Sequence, residues 1–339
     1  MGTWLKRHRW VAPYALLAPG LLWLLVFYVW PAFQMFISSF WDPNGSVETG
    51  YSFSLSNWTN YPNNIIQFAP FYIRSILYAL AATLLTFLIA YPLAYTIAFK
   101  GGRQKNLLLF LVVAPFFTSF LLRTIAWKII LADSGLLLGP LKAVGLVPED
   151  FRLLATPVAV ISGITYNFLP FMTLPIYVAL EKIDGRLVEA AKDLYAGPWR
   201  PGGAIVGAIM GGFLGAVLGF IFLWVWPVTA ALGALVGALI GYLFISESFV
   251  RVTFPLSLSG VFAGSLLTFI PAIGDYINAE FLGNPDTNMI GNVIQNKYLT
   301  QTDYPAASAL SFTLMFGVLI LAAIYARVLG TEDVTVGRV

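Results

Sequence analysis

Long apolar runs separated by short charged interludes set the plan of this chain. Runs of about twenty residues, the length an α-helix needs to cross a bilayer, occupy roughly 11–37, 75–99, 156–180, 203–226, 228–245, 259–281 and 306–326, and another begins near Asn106. In lipid a backbone must satisfy its own hydrogen bonds, so such runs predict helices. The interludes differ in charge. Lys100, Arg103 and Lys105 close the second run and Lys182, Arg186, Lys192 and Arg200 fill 181–200, whereas 41–71 holds Asp42 and Glu48 without a basic residue. Basic loops stay in the cytoplasm, so this asymmetry predicts both termini there. Within 181–200, Glu189, Lys192 and Asp193 fall at helical intervals with Ala190, Ala191, Leu194 and Tyr195 between them. That spacing suits a short helix lying flat at the bilayer surface, where a partner can grip it.

Two of the runs have a texture of their own. Gly203, Gly207, Gly211, Gly215 and Gly219 recur every fourth residue, and Gly233, Gly237 and Gly241 repeat the device after Pro227. Helices with such smooth faces approach closely, which is how helices associate in lipid. The segment 201–247 is therefore expected to form an inserted glycine-zipper hairpin inside a single transmembrane domain spanning 1–339; a merely lipid-facing pair is the alternative. The fold class is all-α and polytopic, with six further spans beside the hairpin.

Composition agrees: 59% of residues are hydrophobic and 10% charged, against about 25% charged in soluble domains. The net charge of +3 is spread between spans, which argues against nucleic acid as a partner and leaves membrane lipid as the surroundings. The first ten residues carry Lys6, Arg7 and Arg9 before a run too long for a signal-peptide core, so an uncleaved first helix is expected.

Candidate chemistry is sparse. Cysteine is absent and the single histidine, His8, lies in the basic tail, so a metal cluster, a thiol site and a serine–histidine triad are not expected. No lysine follows the glycine spacing of a phosphate-cradling loop. The residues therefore point away from an enzyme and from any cofactor, towards movement of a solute powered from elsewhere.

Particular stretches narrow that reading. Glu189-Ala190-Ala191-Lys192-Asp193-Leu194-Tyr195-Ala196, with Phe249 to Val261 much later, resembles the two halves of the EAA loop of binding-protein-dependent ABC importer permeases. Ala114 to Trp127, Tyr166 to Tyr177, Pro271 to Tyr276 and Met289 to Gln295 are similar to segments of the spermidine/putrescine-type permeases. The resemblance implies a transport subunit in the cell (inner) membrane, polyamines as substrate, ATP hydrolysis in separate cytoplasmic subunits, a second permease subunit and an extracytoplasmic solute-binding protein. It also implies that the loop docks on the ATPase through Glu189, Ala190, Ala191, Asp193, Leu194, Ala196 and Gly197. Two departures stand out: Tyr195 replaces the glycine usual after Asp-Leu, and 201–247 splits the loop. Either the first half docks alone or the insertion folds back so that the halves rejoin.

For a cationic solute, Asp275 and Glu280 are the natural contacts, because an acid within a span is costly and usually faces a cavity or a partner. Tyr166, Asn167 and Tyr276 suit the same pathway, since aromatic faces attract alkylammonium ions. The competing expectations are that both acids meet water at the outer interface, or that Asp275 pairs with Arg123. Another small solute, or a glycine-zipper structural or channel protein independent of ATP, remain the alternative functions.

Overall fold

The computed structural model describes residues 11–42, 44–45, 50–59, 61–194 and 249–329, with positions 208, 212 and 235. The glycine-rich hairpin expected over 201–247 thus lies outside the described residues apart from those three positions, as do Ala196 and Gly197. The described chain is helical, with one isolated antiparallel bridge between Trp41 and Phe53.

The chain divides into two compact units, one of residues up to 69 with 293–320, the other of 70–292 with the residues from 321 on. In the first unit, α1 (Val11–Leu24) continues through a wider turn, Leu25–Val29, into Trp30–Ser38. Its side chains point outward, with Trp23, Phe27 and Tyr28 more than half exposed, which suits lipid. Rings close its polar end: Phe40 stacks on Phe53, Trp41 on Tyr51, and Asn57 Nδ2 donates to the carbonyls of Ser39 and Trp41.

The second unit holds residues 70–292 and those from 321 on. α2 (Tyr61–Tyr95) passes into it and ends in the wide turn Thr96–Lys100. α3 (Lys105–Val113) and α4 (Phe120–Leu131) form one apolar stretch bent by 96°. The bend has a local cause: Pro115 lacks the N–H a continuing helix needs, and Thr118 and Ser119 then adopt extended backbone. Counting the bent pair as one, six apolar helical stretches among the described residues are long enough to cross a membrane, matching the six spans expected beside the insertion.

α5 (Pro157–Glu181) is the central element of this unit, with 67% of its best apolar window buried. Thr156 caps it by accepting from Ala159 N–H, and Pro157 stands at its first position, where no N–H is needed. After α6 (Gly185–Leu194), the described chain resumes in the wide turn Phe249–Thr253 and α7 (Phe254–Ile273). α7 lies almost backbone to backbone on α5. A Cβ on Gly260 would stand 2.5 Å from Ala179 Cβ and Pro175 O, and one on Gly264 2.9 Å from Met172 Sδ. This is the small-xxx-small packing of membrane helices, here within α7.

One boundary needs correcting. The run expected over 259–281 is not a single span: the helix stops at Ile273, Gly274 and Asp275 turn the chain, and Glu280 belongs to the short helix α8 (Ile277–Leu282). The span instead begins earlier, at Phe249. Hydropathy alone carries across the break because residues on both sides of it are apolar, whereas Asp275 draws the following N–H groups to its carboxylate. α9 (Ile290–Gln295) and α10 (Tyr304–Leu329) complete the chain.

Candidate functional site

The coupling end is built on α6. Asp184 starts the helix by accepting the N–H of Arg186 on its side chain (3.0 Å) and that of Leu187 on its carbonyl (2.9 Å). Val188 and Ala191, one turn apart, face inward and are buried, while Leu187, Glu189, Ala190, Asp193 and Leu194 are exposed. Of the residues singled out for docking, Ala191 therefore anchors the helix and Glu189, Ala190, Asp193 and Leu194 form its free face. α6 packs against the turn Phe249–Thr253. The described segments on either side of the inserted stretch thus lie together.

Beneath this contact is an aromatic knot. Phe249 meets the Tyr91 and Tyr95 rings edge to face, at 5.7 and 5.8 Å, and Phe254 leans on Tyr91. Ser257 donates its hydroxyl proton to Phe254 O, which leaves Tyr91 as donor in the 2.7 Å contact to Ser257 Oγ. Ala90, Ala94, Ile97, Met172, Ile176, Tyr177 and Leu180 complete this core, with Ile183 packed against it. The turn against which α6 packs thus shares one core with α2, α5 and α7. Lys105 and Glu181 link the start of α3 to the end of α5 at 2.7 Å.

A second centre is polar and closed. Asn278 of α8 donates both its backbone N–H (3.0 Å) and its side-chain N–H to the Asp275 carboxylate. Its Oδ1 accepts from Asn167 Nδ2 of α5 (3.1 Å) and from Thr124 Oγ1 of α4 (3.3 Å). All four side chains are buried. Gly163 makes room for this: a Cβ there would run into Leu282 and Asn278. Beside it, Asn292 Nδ2 donates to Tyr276 O and to Glu280 Oε2, each at 3.1 Å.

The five residues expected along a substrate pathway are thus separated into groups. Asp275 and Asn167 join through Asn278. Tyr276 and Glu280, both exposed, join through Asn292. Tyr166 stands apart, stacked on Trp127 at 5.4 Å. Asp275 forms no ion pair with Arg123 among the described residues. A groove of about 740 Å³ runs between α5 and α7, from Pro170 and Leu267 down to Lys182, Asp184 and Leu187 at the coupling end. None of the five lines it. The hub residue Asn278, with Thr124 and Asn292, escaped the sequence reading; the available signal was that Asn278 follows Asp275 by three positions, the spacing of a side-chain cap.

Comparison with known proteins bears on this arrangement. The chain is 31% identical over 309 residues to the spermidine/putrescine transport system permease protein PotB of Haemophilus influenzae, with 90% of each chain covered. Residues 245–329 match the family described as the inner membrane component of binding-protein-dependent transport systems. The chain belongs to this permease family. It is also 26% identical over 267 residues to the Escherichia coli inner membrane ABC transporter permease protein YdcU, across 75% of this chain and 68% of that one. Its fold is shared with a chain of a bacterial ABC transporter involved in the import of the acidic polysaccharide alginate (TM-score 0.57, 16% identity, 97% and 98% of the two chains covered).

As a permease of this family, the chain is a transport subunit of an ABC importer, and ATP is hydrolysed in separate subunits. The family works in general with such ATPases, a partner permease and a solute-binding protein. Membership displaces the reading as a channel independent of ATP. The family match begins at residue 245, two residues before the expected end of the inserted stretch, so the second half of the split loop is family sequence.

Proposed function

We propose that this permease carries polyamines inward, receiving them from a solute-binding protein at the outer face and releasing them when cytoplasmic ATPases move α6. The 31% identity to a spermidine/putrescine permease over 90% of both chains supports the substrate class. The exposed face of α6 supports the docking role. Asp193 stands in the last turn of that helix, where an acid opposes the helix dipole. A partner that supplies positive charge removes that conflict. Glu189, Ala190 and Leu194 extend the same free face, Ala191 holds it in place, and Ala196 and Gly197 continue the chain beyond it.

In this reading both termini are cytoplasmic, the partner permease is a different chain, and 201–247 is a hairpin that enters and leaves the membrane between the two halves of the coupling loop. Tyr276 and Glu280 are the exposed members of the proposed pathway. Asp275, Asn167 and Tyr166 shape it from behind. Titrating the partner solute-binding protein with spermidine and putrescine tests the substrate: micromolar or tighter binding is expected, and indifference to both ends the polyamine assignment. The native chain has no cysteine, so a disulfide between cysteines placed at Arg200 and Ser248 reads out the rejoined loop without background.

A further inference from the structure

Arg123 is the buried cation whose charge the described structure leaves unanswered. It lies one turn after the bend, near the start of α4, and is 8% exposed. Its guanidinium carbon stands 4.6 Å from the Phe116 ring centroid and 5.6 Å from that of Phe120. Nε is buried without an acceptor, and among the described residues the side chain makes no hydrogen bond or ion pair. Four other basic residues of the second unit have polar partners. Arg74 donates to Asn288 O at 2.8 Å, Lys105 meets Glu181, and Lys142 and Arg152 meet Asp133. Asp275, buried in the same unit, is committed to Asn278.

Aromatic faces attract a guanidinium but offer its N–H groups no acceptor in the ring plane. Rings therefore leave a guanidinium's donors in need of an acceptor, and a planar fork of donors matches a carboxylate best. The direction from which an acid can arrive is also indicated. Phe116 meets Phe171 edge to face at 5.0 Å, and Phe171 lines the groove between α5 and α7.

We propose that Arg123 forms an interfacial ion pair with an aspartate or glutamate of the second permease subunit, inserted beside Phe116 and Phe120 at the edge of this groove. The inference rests on the family's two-permease assembly and is independent of the solute carried. Arg123 is then a positioning residue: it sets the register of the two permeases where α4 turns.

The test uses the assembled transporter, co-expressed with its second permease and ATPases. Benzoyl-phenylalanine placed at Phe116 or Phe120 keeps Arg123 in place and is expected to cross-link to the second permease on illumination. Cross-links to lipid alone, or only within this chain, overturn the proposal. Arg123→Glu is expected to strip the second permease from the complex in mild detergent and to lower uptake at least tenfold. Arg123→Lys retains assembly, and suppressors of Arg123→Glu appear as Asp or Glu changed to Lys or Arg in the second permease. Full co-purification and unchanged uptake of both Arg123→Glu and Arg123→Met overturn it, as does a requirement for anionic phospholipid that replaces dependence on the partner chain. Should Arg123→Glu fail to accumulate, the cross-links and Arg123→Met still decide.

Discussion

The coupling end and the polar centre both join helices distant in sequence, and they do so by opposite means. At the coupling end the joint is apolar and aromatic, with Tyr91, Phe249 and Phe254 ring against ring, and the charged residues Glu189 and Asp193 stay outside. At the polar centre the joint is made of amides, a hydroxyl and a carboxylate, and the charge is inside. The difference teaches how to read an acid in a membrane protein. An exposed acid on a helix whose other face is anchored is free for a partner. A buried acid with both oxygens engaged is already employed by its own chain, which weakens Asp275 as a direct contact for solute and leaves Glu280 the better placed of the two.

The comparison breaks first at the free acids. Glu189→Lys combined with Asp193→Lys is expected to abolish ATP-driven uptake in proteoliposomes while the detergent melting temperature stays at the wild-type value. Normal uptake by that variant would remove docking from α6. The reverse pattern is expected at the polar centre. Asn278→Leu leaves the Asp275 carboxylate and Asn167 without their shared partner and should lower stability by on the order of 2–3 kcal/mol, read as a fall in melting temperature. Asn278→Leu with unchanged melting would mean that the network holds nothing together.

Smaller effects sharpen the contrast. Gly264→Val forces side chain against Met172 where α7 touches α5, and overpacking of this kind costs about 1–3 kcal/mol. The loss should be accompanied by weaker coupling of ATPase activity to solute, because the two helices frame the groove. Lys105→Met breaks the link to Glu181, whose side chain is 47% exposed. Exposed pairs contribute little, so the melting shift should be smaller than those of Asn278→Leu and Gly264→Val and should vanish against wild type at high salt.

Much of this was legible beforehand. Six span-length stretches, the surface helix at 185–194 and the basic character of the loop that holds it follow from run length, 3.6-residue spacing and charge placement. The small-xxx-small signal was read in the inserted stretch, but the instance the structure describes is Gly260 and Gly264 of α7; the pattern marks a face that can approach a neighbour without naming the neighbour. The bend before α4 and the stop at Ile273 were missed because apolar residues continue through both, and hydropathy averages over the proline and the carboxylate that break the helix.

By itself, then, the amino-acid order determined that the described chain holds six apolar helical stretches of span length and where charge falls between them. These are local properties, imposed by bilayer thickness and helix periodicity on neighbouring residues. Only the tertiary structure decided which polar groups are spoken for. Asn167 meets Asn278 across 111 positions and Tyr91 meets Ser257 across 166, and no periodicity links residues so far apart. The contact of α6 with Phe249–Thr253 across the inserted stretch is of the same kind. The sequence hid Arg123 as well, whose buried Nε lacks an acceptor only in the folded chain.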